Sequence, residues 1–123
     1  NANLLLNIGP QPNGELPDLA VERLKEMGEW MKVYGETIYG TRGGLIAPHD
    51  WGVTTQKAGK LYVHILNLKD KALFLPITDK KVTKAILFKN HKAIKFTKSE
   101  GGILLQLGEV PTDIDYVVEL TIV

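Results

Sequence analysis

The chain has 123 residues, 44% of them apolar and 24% charged, with a formal net charge of +1 and no cysteine. That balance belongs to a globular chain rather than a disordered one, and the length suits a core of ordinary domain size. Zero Cys excludes a disulfide framework, a thiolate nucleophile and a Cys-based zinc site, and no apolar run approaches the roughly 20 residues that cross a bilayer.

The first apolar run comes at once, at Leu4, Leu5, Leu6 and Ile8, and it reads as a short strand buried on both faces, the kind that parallel sheets use. Gly9, Pro10, Pro12, Asn13 and Gly14 follow as a loop, with Asn13-Gly14 as the tight turn. Pro17 suits the first position of a helix, and Asp18 and Glu22 suit its positive end. Val21, Leu24, Met27 or Gly28, Met31 and Tyr34 recur at three- and four-residue steps, an apolar stripe that asks for a core, and Gly35 reads as the C-cap. Glu22 with Lys25, and Lys25 with Glu29, are expected as surface pairs. Residues 4–35 therefore spell one βα unit, the module of α/β barrels and doubly wound sheets.

After a connector with Gly40, Gly43, Gly44 and Pro48 the periodicity changes from helical to alternating. Residues 61–66, 72–75, 82–88, 93–97, 103–107 and 117–123 read as strands, separated by turn residues at spacings near ten, the rhythm of an antiparallel sandwich. Ile94 and Phe96 against Lys95 and Thr97 give one dry and one wet face. The fold class is mainly β: an antiparallel β-sandwich preceded by one strand and one amphipathic helix. The domain boundary is expected at 40, with residues 1–40 as a βα unit plus connector and 41–123 as the sandwich.

Charge divides along the same line. Residues 1–50 hold four basic and seven acidic side chains, whereas 51–123 hold eleven basic, all Lys, and seven acidic. Reading phosphates or bases favours the forked guanidinium of Arg, and the only two Arg, Arg23 and Arg42, lie in the acidic part, so no nucleic-acid partner is expected.

Chemistry-bearing residues are sparse. Asp18, Glu22, Glu26 and Glu29 fall on the wet side or at the start of the helix. Asp113 and Asp115 flank a proline turn and suit backbone hydrogen bonding there. His49, His64 and His91 are too widely spaced for a local metal pair, and His64 alternates within a strand, where it is expected packed or paired on a sheet face. His49-Asp50-Trp51 is the most suggestive cluster, because Trp51 could stack on a sugar or anchor an interface, although packing at a seam is the commoner fate of Trp. Thr41-Arg42-Gly43-Gly44 lacks the Gly and Lys spacing of a phosphate loop.

Asn-Ala-Asn-Leu-Leu-Leu-Asn-Ile-Gly-Pro at 1–10, with Asn13-Gly14 and Pro17, closely resembles the strand and loop near the end of the catalytic barrel of α-L-fucosidases, glycoside hydrolase family twenty-nine. Gly28-Glu29-Trp30-Met31-Lys32-Val33 and then Gly35-Glu36-Thr37-Ile38-Tyr39-Gly40-Thr41 resemble that family's next segment. Trp51-Gly52, Thr54 and Leu61-Tyr62 are similar to the start of its C-terminal sandwich. The resemblance runs in register through about residue 65, with Ala2 and Tyr34 as departures, and it implies that the strand and helix of residues 1–40 are the last βα unit, with its connector, of an α/β, TIM-type barrel, ahead of the C-terminal β-sandwich at 41–123.

The resemblance implies a retaining hydrolase that releases L-fucose from glycans through an Asp nucleophile and a Glu acid/base, carboxyl groups that such enzymes hold about 5–5.5 Å apart. In the family both lie on earlier barrel strands, so neither role passes to Glu15, Asp18, Glu36 or Asp50. No catalytic, cofactor or metal residue is assigned, no cofactor is implied, and the piece alone is expected to be inactive. Its partners would be fucosylated glycans through the whole enzyme, and an upstream barrel or a second copy pairing with Leu4 to Ile8, without nucleic acid or membrane. A secreted, periplasmic or lysosomal location follows from the family. Two other classes stay open: a carbohydrate-binding sandwich with an exposed platform of Trp51, Tyr62 or Tyr116, and an interaction module in which those aromatics are buried.

Overall fold

A computed structural model of the chain describes residues 2–108 and 115–123. The chain divides into two compact units, Asn1–Glu36 and Thr37–Val123.

In the first unit the expected strand at 4–8 does not form. Leu4, Leu5 and Leu6 are 85%, 92% and 55% exposed, and no ladder bond reaches them among the described residues. A strand is completed by a neighbour's hydrogen bonds, and this unit contains no second strand to provide them. The turn at Asn13-Gly14 does form. Gly14 donates its N–H to the Gln11 carbonyl at 2.8 Å and takes φ 85°, a left-handed conformation that glycine adopts without a Cβ penalty. Asn13 Oδ1 accepts from the Glu15 N–H at 3.1 Å, the local side-chain bond that favours Asn in turns.

Helix α1 covers Asp18–Tyr34. Pro17 is its N-cap rather than its first residue, with Asp18 in the first turn and Lys32 in the last, where each complements the macrodipole. Gly35 does not turn left-handed. It stays at φ −54°, ψ −33°, and the chain tightens into a 3-10 turn over Gly35–Thr37. Of the expected stripe, Leu24 and Met27 remain exposed, because the unit holds no other element for that face to pack on, while Trp30 stacks on Tyr34 with centroids 5.1 Å apart.

The helix's ion pairs are Arg23 with Glu26 at 2.8 Å and Glu29 with Lys32 at 2.7 Å, both at i,i+3. They replace the expected Glu22–Lys25 and Lys25–Glu29 pairs, since any of these acids can reach a base three or four residues away. All four side chains are well exposed, so water screens them. Arg23→Gln is expected to change the free energy of unfolding by no more than about 0.5 kcal/mol, read from the urea midpoint; a larger loss would mean that Arg23 does more than pair with Glu26.

The second unit is the antiparallel sandwich expected from the alternation. Its strands are β1 (Arg42–Gly43), β2 (Gly52–Lys57), β3 (Lys60–Ile65), β4 (Ala72–Leu75), β5 (Val82–Leu87), β6 (Lys95–Ser99), β7 (Gly102–Gln106) and β8 (Tyr116–Ile122). They form one sheet in the order β1-β2-β3-β8-β5 and another in the order β4-β7-β6. Opposite Leu61 and Val63 on β3 stand Leu120 and Val118 on β8. These side chains form a single core with Ile65, Leu73, Leu75, Ile103 and Leu105. Each fully buried Leu or Ile of that cluster contributes about 1.5–3 kcal/mol of transfer free energy. On β6 the sequence alternation holds: Phe96 is half-buried and Lys95 and Thr97 face water.

Two features depart from the pattern. Strand β2 was not legible as one, because its inward positions Gly52, Thr54 and Gln56, paired with Ile65, Val63 and Leu61, carry no long apolar side chain. Thr54 is buried there and donates its hydroxyl to the Ile46 carbonyl at 3.1 Å, which satisfies the polar atom. The second departure is β3, which is buried on both faces. Tyr62 and His64 point away from the sandwich core and are still only 1% and 3% exposed. Phe88 meets the Tyr62 ring edge-on at 5.9 Å.

Candidate functional site

The outer face of β3 places three polar side chains in a line. Thr55 on β2 lies diagonally across from His64, and Asp115, two residues ahead of Val117, shares the face of the His64 partner on β8. Asp115 Oδ2 is 2.8 Å from His64 Nδ1, and His64 Nε2 is 3.0 Å from Thr55 Oγ1. The Thr55 hydroxyl donates in turn to the Thr37 carbonyl at 2.7 Å. Thr37 is fully buried and Asp115 is 8% exposed.

The hydrogen count along this string is fixed. Thr55 has one proton, and it goes to a carbonyl that can only accept; so its lone pair takes the Nε2–H of His64. One further proton is shared between Nδ1 and Oδ2. Whichever atom holds it, the pair carries no net charge, which is the state that burial tolerates. Asp115 Oδ1 is also enclosed and has no hydrogen-bond partner among the described residues, where the carboxylate depends on His64 for its compensation.

Hydroxyl, imidazole and carboxylate in this order and at these distances have the layout of a nucleophilic triad. The chemistry is nevertheless closed. The hydroxyl proton that a base would remove is already committed to Thr37, and Thr37, His64 and Asp115 are all buried. The string is a cross-tie that holds Thr37, β2, β3 and Asp115 together within the sandwich unit. His64 is thus paired on a sheet face, as its alternation suggests. Among the described residues Asp115 bonds the His64 imidazole and not its own backbone, because burial against β3 puts that partner within reach. Asp113 lies outside the described residues.

The remaining candidates are not brought together. Glu26 and Glu29 make surface pairs on α1. Arg42 and Gly43 form the short edge strand β1 against Gln56 and Thr55, not a phosphate loop. His49 stacks on Trp51 with centroids 5.7 Å apart and planes 11° from parallel, and Trp51 is half-buried against the core. Tyr62 is 1% exposed, so it contributes nothing to an aromatic platform. Tyr116 also packs on the core. Among the described residues no group of three or more His, Asp or Glu could hold a metal ion, and no helix is long and apolar enough to cross a membrane.

Two open cavities stand out in the sandwich. One, of about 540 Å³, gathers Arg42, Gln56, Lys57 and Lys80. The other, of about 530 Å³, lies beside Trp51 and is bordered by Asp50, Asn67 and Asp70.

The profile of the α-L-fucosidase family matches residues 1–36. Among curated proteins, the chain is 36% identical over 116 residues to the plasma α-L-fucosidase of Rattus norvegicus, covering 85% of this chain and 25% of the rat protein. It is 30% identical over 100 residues to an α-L-fucosidase of Dictyostelium discoideum, covering 76% of this chain and 22% of the relative. Among solved structures, α-L-fucosidase isoenzyme 1 from Paenibacillus thiaminolyticus superposes over 98% of this chain and 31% of its own length, with a TM-score of 0.85 and 31% identity. An α-fucosidase of Thermotoga maritima, solved with a mechanism-based inhibitor, matches 97% of this chain and 30% of its own, with a TM-score of 0.76 and 28% identity. The chain thus spans about a quarter of the length of the curated relatives it matches.

Proposed function

We propose that this chain, a carboxyl-terminal portion of the α-L-fucosidase family, works as the structural end of a retaining glycoside hydrolase that releases L-fucose from glycans. In this reading residues 1–40 are the last strand and helix of a catalytic barrel with their connector, and residues 41–123 are a sandwich that buttresses it. The observation that carries the reading is the P. thiaminolyticus fucosidase match, which takes in nearly all of this chain but less than a third of that enzyme. The nucleophile and acid/base would come from the barrel, and this chain supplies neither. A secreted, periplasmic or lysosomal compartment goes with the reading.

Leu4 to Ile8 is the joint. Three consecutive leucines left more than half exposed cost far more in water than beside a neighbouring barrel strand, whose backbone would also complete their hydrogen bonds. We assign the upstream barrel as that neighbour, with a second copy of this chain as the competing occupant.

An aryl α-L-fucoside tests both halves of the reading. The purified chain is expected to give no turnover, whereas a chimera in which it replaces the matching segment of the P. thiaminolyticus enzyme is expected to be soluble and active. Turnover by the chain alone would place a catalytic pair within it and sink the reading, as would a folded chimera without activity.

A further inference from the structure

We propose that the cleft beside Trp51 binds a neutral sugar ring. The cavity, about 530 Å³, falls within the range of small-molecule sites and is formed wholly within the sandwich unit. Its aromatic wall is held in place. The Trp51 carbonyl accepts the N–H groups of Leu66 at 2.7 Å and Asn67 at 3.0 Å, which ties the start of β2 to the segment leaving β3. His49 stacks on the indole and the sandwich core supports it. An aromatic surface fixed before the ligand arrives loses little freedom on binding.

Around that wall stand Asp50, Asn67 and Asp70, whose side chains make no hydrogen bond or ion pair among the described residues. All three are exposed at the rim, where they can orient a ligand by its hydroxyls. Their charge selects its class. Two carboxylates against the single cation of Lys69 repel phosphate, sulfate and carboxylate groups, and they favour a ligand that brings hydroxyl donors. A pyranose has both features required: hydroxyls for Asp50, Asn67 and Asp70, and C–H groups for the part of the indole that borders the cavity. The sequence singles out His49-Asp50-Trp51; the fold adds Asn67 and Asp70 from the β3–β4 connection. The inference rests on this cleft and not on hydrolysis, so it stands or falls apart from the proposed function.

The test uses the full chain carrying Trp30→Phe, which leaves Trp51 as the only indole of the two in the sequence. Its emission is followed while lactose, 2′-fucosyllactose or 3′-sulfolactose is added. Saturable change is expected with the two neutral sugars and weaker binding with the sulfated one. Asn67→Ala and Asp70→Ala are each expected to raise Kd about tenfold, the loss of one to two hydrogen bonds, with the thermal midpoint unchanged. These surface positions are used because Trp51 itself packs on the core and its removal would disturb the fold. No saturable change with either neutral sugar, an unaltered Kd in both variants, or tighter binding of the sulfated sugar would overturn the proposal.

Discussion

Asp115→Ala is expected to lower the stability of the sandwich by about 3–5 kcal/mol, the usual result of removing one partner from a buried pair. His64 would remain on β3 with Nε2–H committed to Thr55 and nothing opposite Nδ1. Against a total of about 5–15 kcal/mol for a domain, such a loss moves the urea midpoint to a large fraction of the way toward zero. Asp115→Asn separates charge from hydrogen bonding. Its amide N–H can donate to Nδ1 of a neutral imidazole that keeps Nε2–H for Thr55, so all bonds survive and the cost is expected near 1 kcal/mol. If Asp115→Ala proved as mild as Asp115→Asn, the cross-tie would be ornamental and the outer face of β3 would be held by Tyr62 and Phe88 alone.

The second large effect is expected at Gly52. This residue opens β2 with φ 152°, and a Cβ there would run into the carbonyl oxygen of His64 on the neighbouring strand. Backbone, unlike a side chain, cannot swing aside. Gly52→Ala is therefore expected to cost about 2–5 kcal/mol, combining conformational strain with overpacking. It would also part the His49–Gly52 bridge, whose two N–H···O bonds are 3.0 Å each. Gly43→Ala is the control: it sits on the edge strand with open space where its Cβ would go, and a change within about 0.5 kcal/mol is expected. Equal thermal midpoints for the two variants would refute the close-approach argument.

Gly52 also shows what the sequence could and could not reveal. Trp51-Gly52 was recognisable as a motif, yet the reason for the glycine is a carbonyl twelve residues away, visible only once β2 lies on β3. The β-sandwich and its core were legible because Leu61, Val63, Ile103, Leu105, Val118 and Leu120 alternate with polar or outward residues, and alternation is a local signal. β2 was hidden because Thr54 satisfies its hydroxyl by a hydrogen bond rather than by being apolar. The strand at Leu4 to Ile8 failed for the opposite reason: its composition is right, but pairing is a property of two strands, and only one is present. The Thr55–His64–Asp115 string was out of reach. His64 and Asp115 are 51 residues apart in the chain, and neither carries a local mark of the other. The nearest available signal was an imidazole at an alternating position, which asks for a partner without naming it.

The place of β8 between β3 and β5 has a bearing on how this sandwich is made. β8 is the last strand in the chain and sits inside the five-stranded sheet, so its pairing with β3 spans separations such as the 59 residues between Lys60 and Glu119, joined at 2.6 Å. During synthesis the β2–β3 hairpin and β5 therefore emerge from the ribosome with their inner edges unpaired and wait for residues 116–122 before the sheet can close. Contacts so distant in sequence make for slow folding, and for that interval the two open edges are the surfaces on which a nascent chain would aggregate or recruit a chaperone.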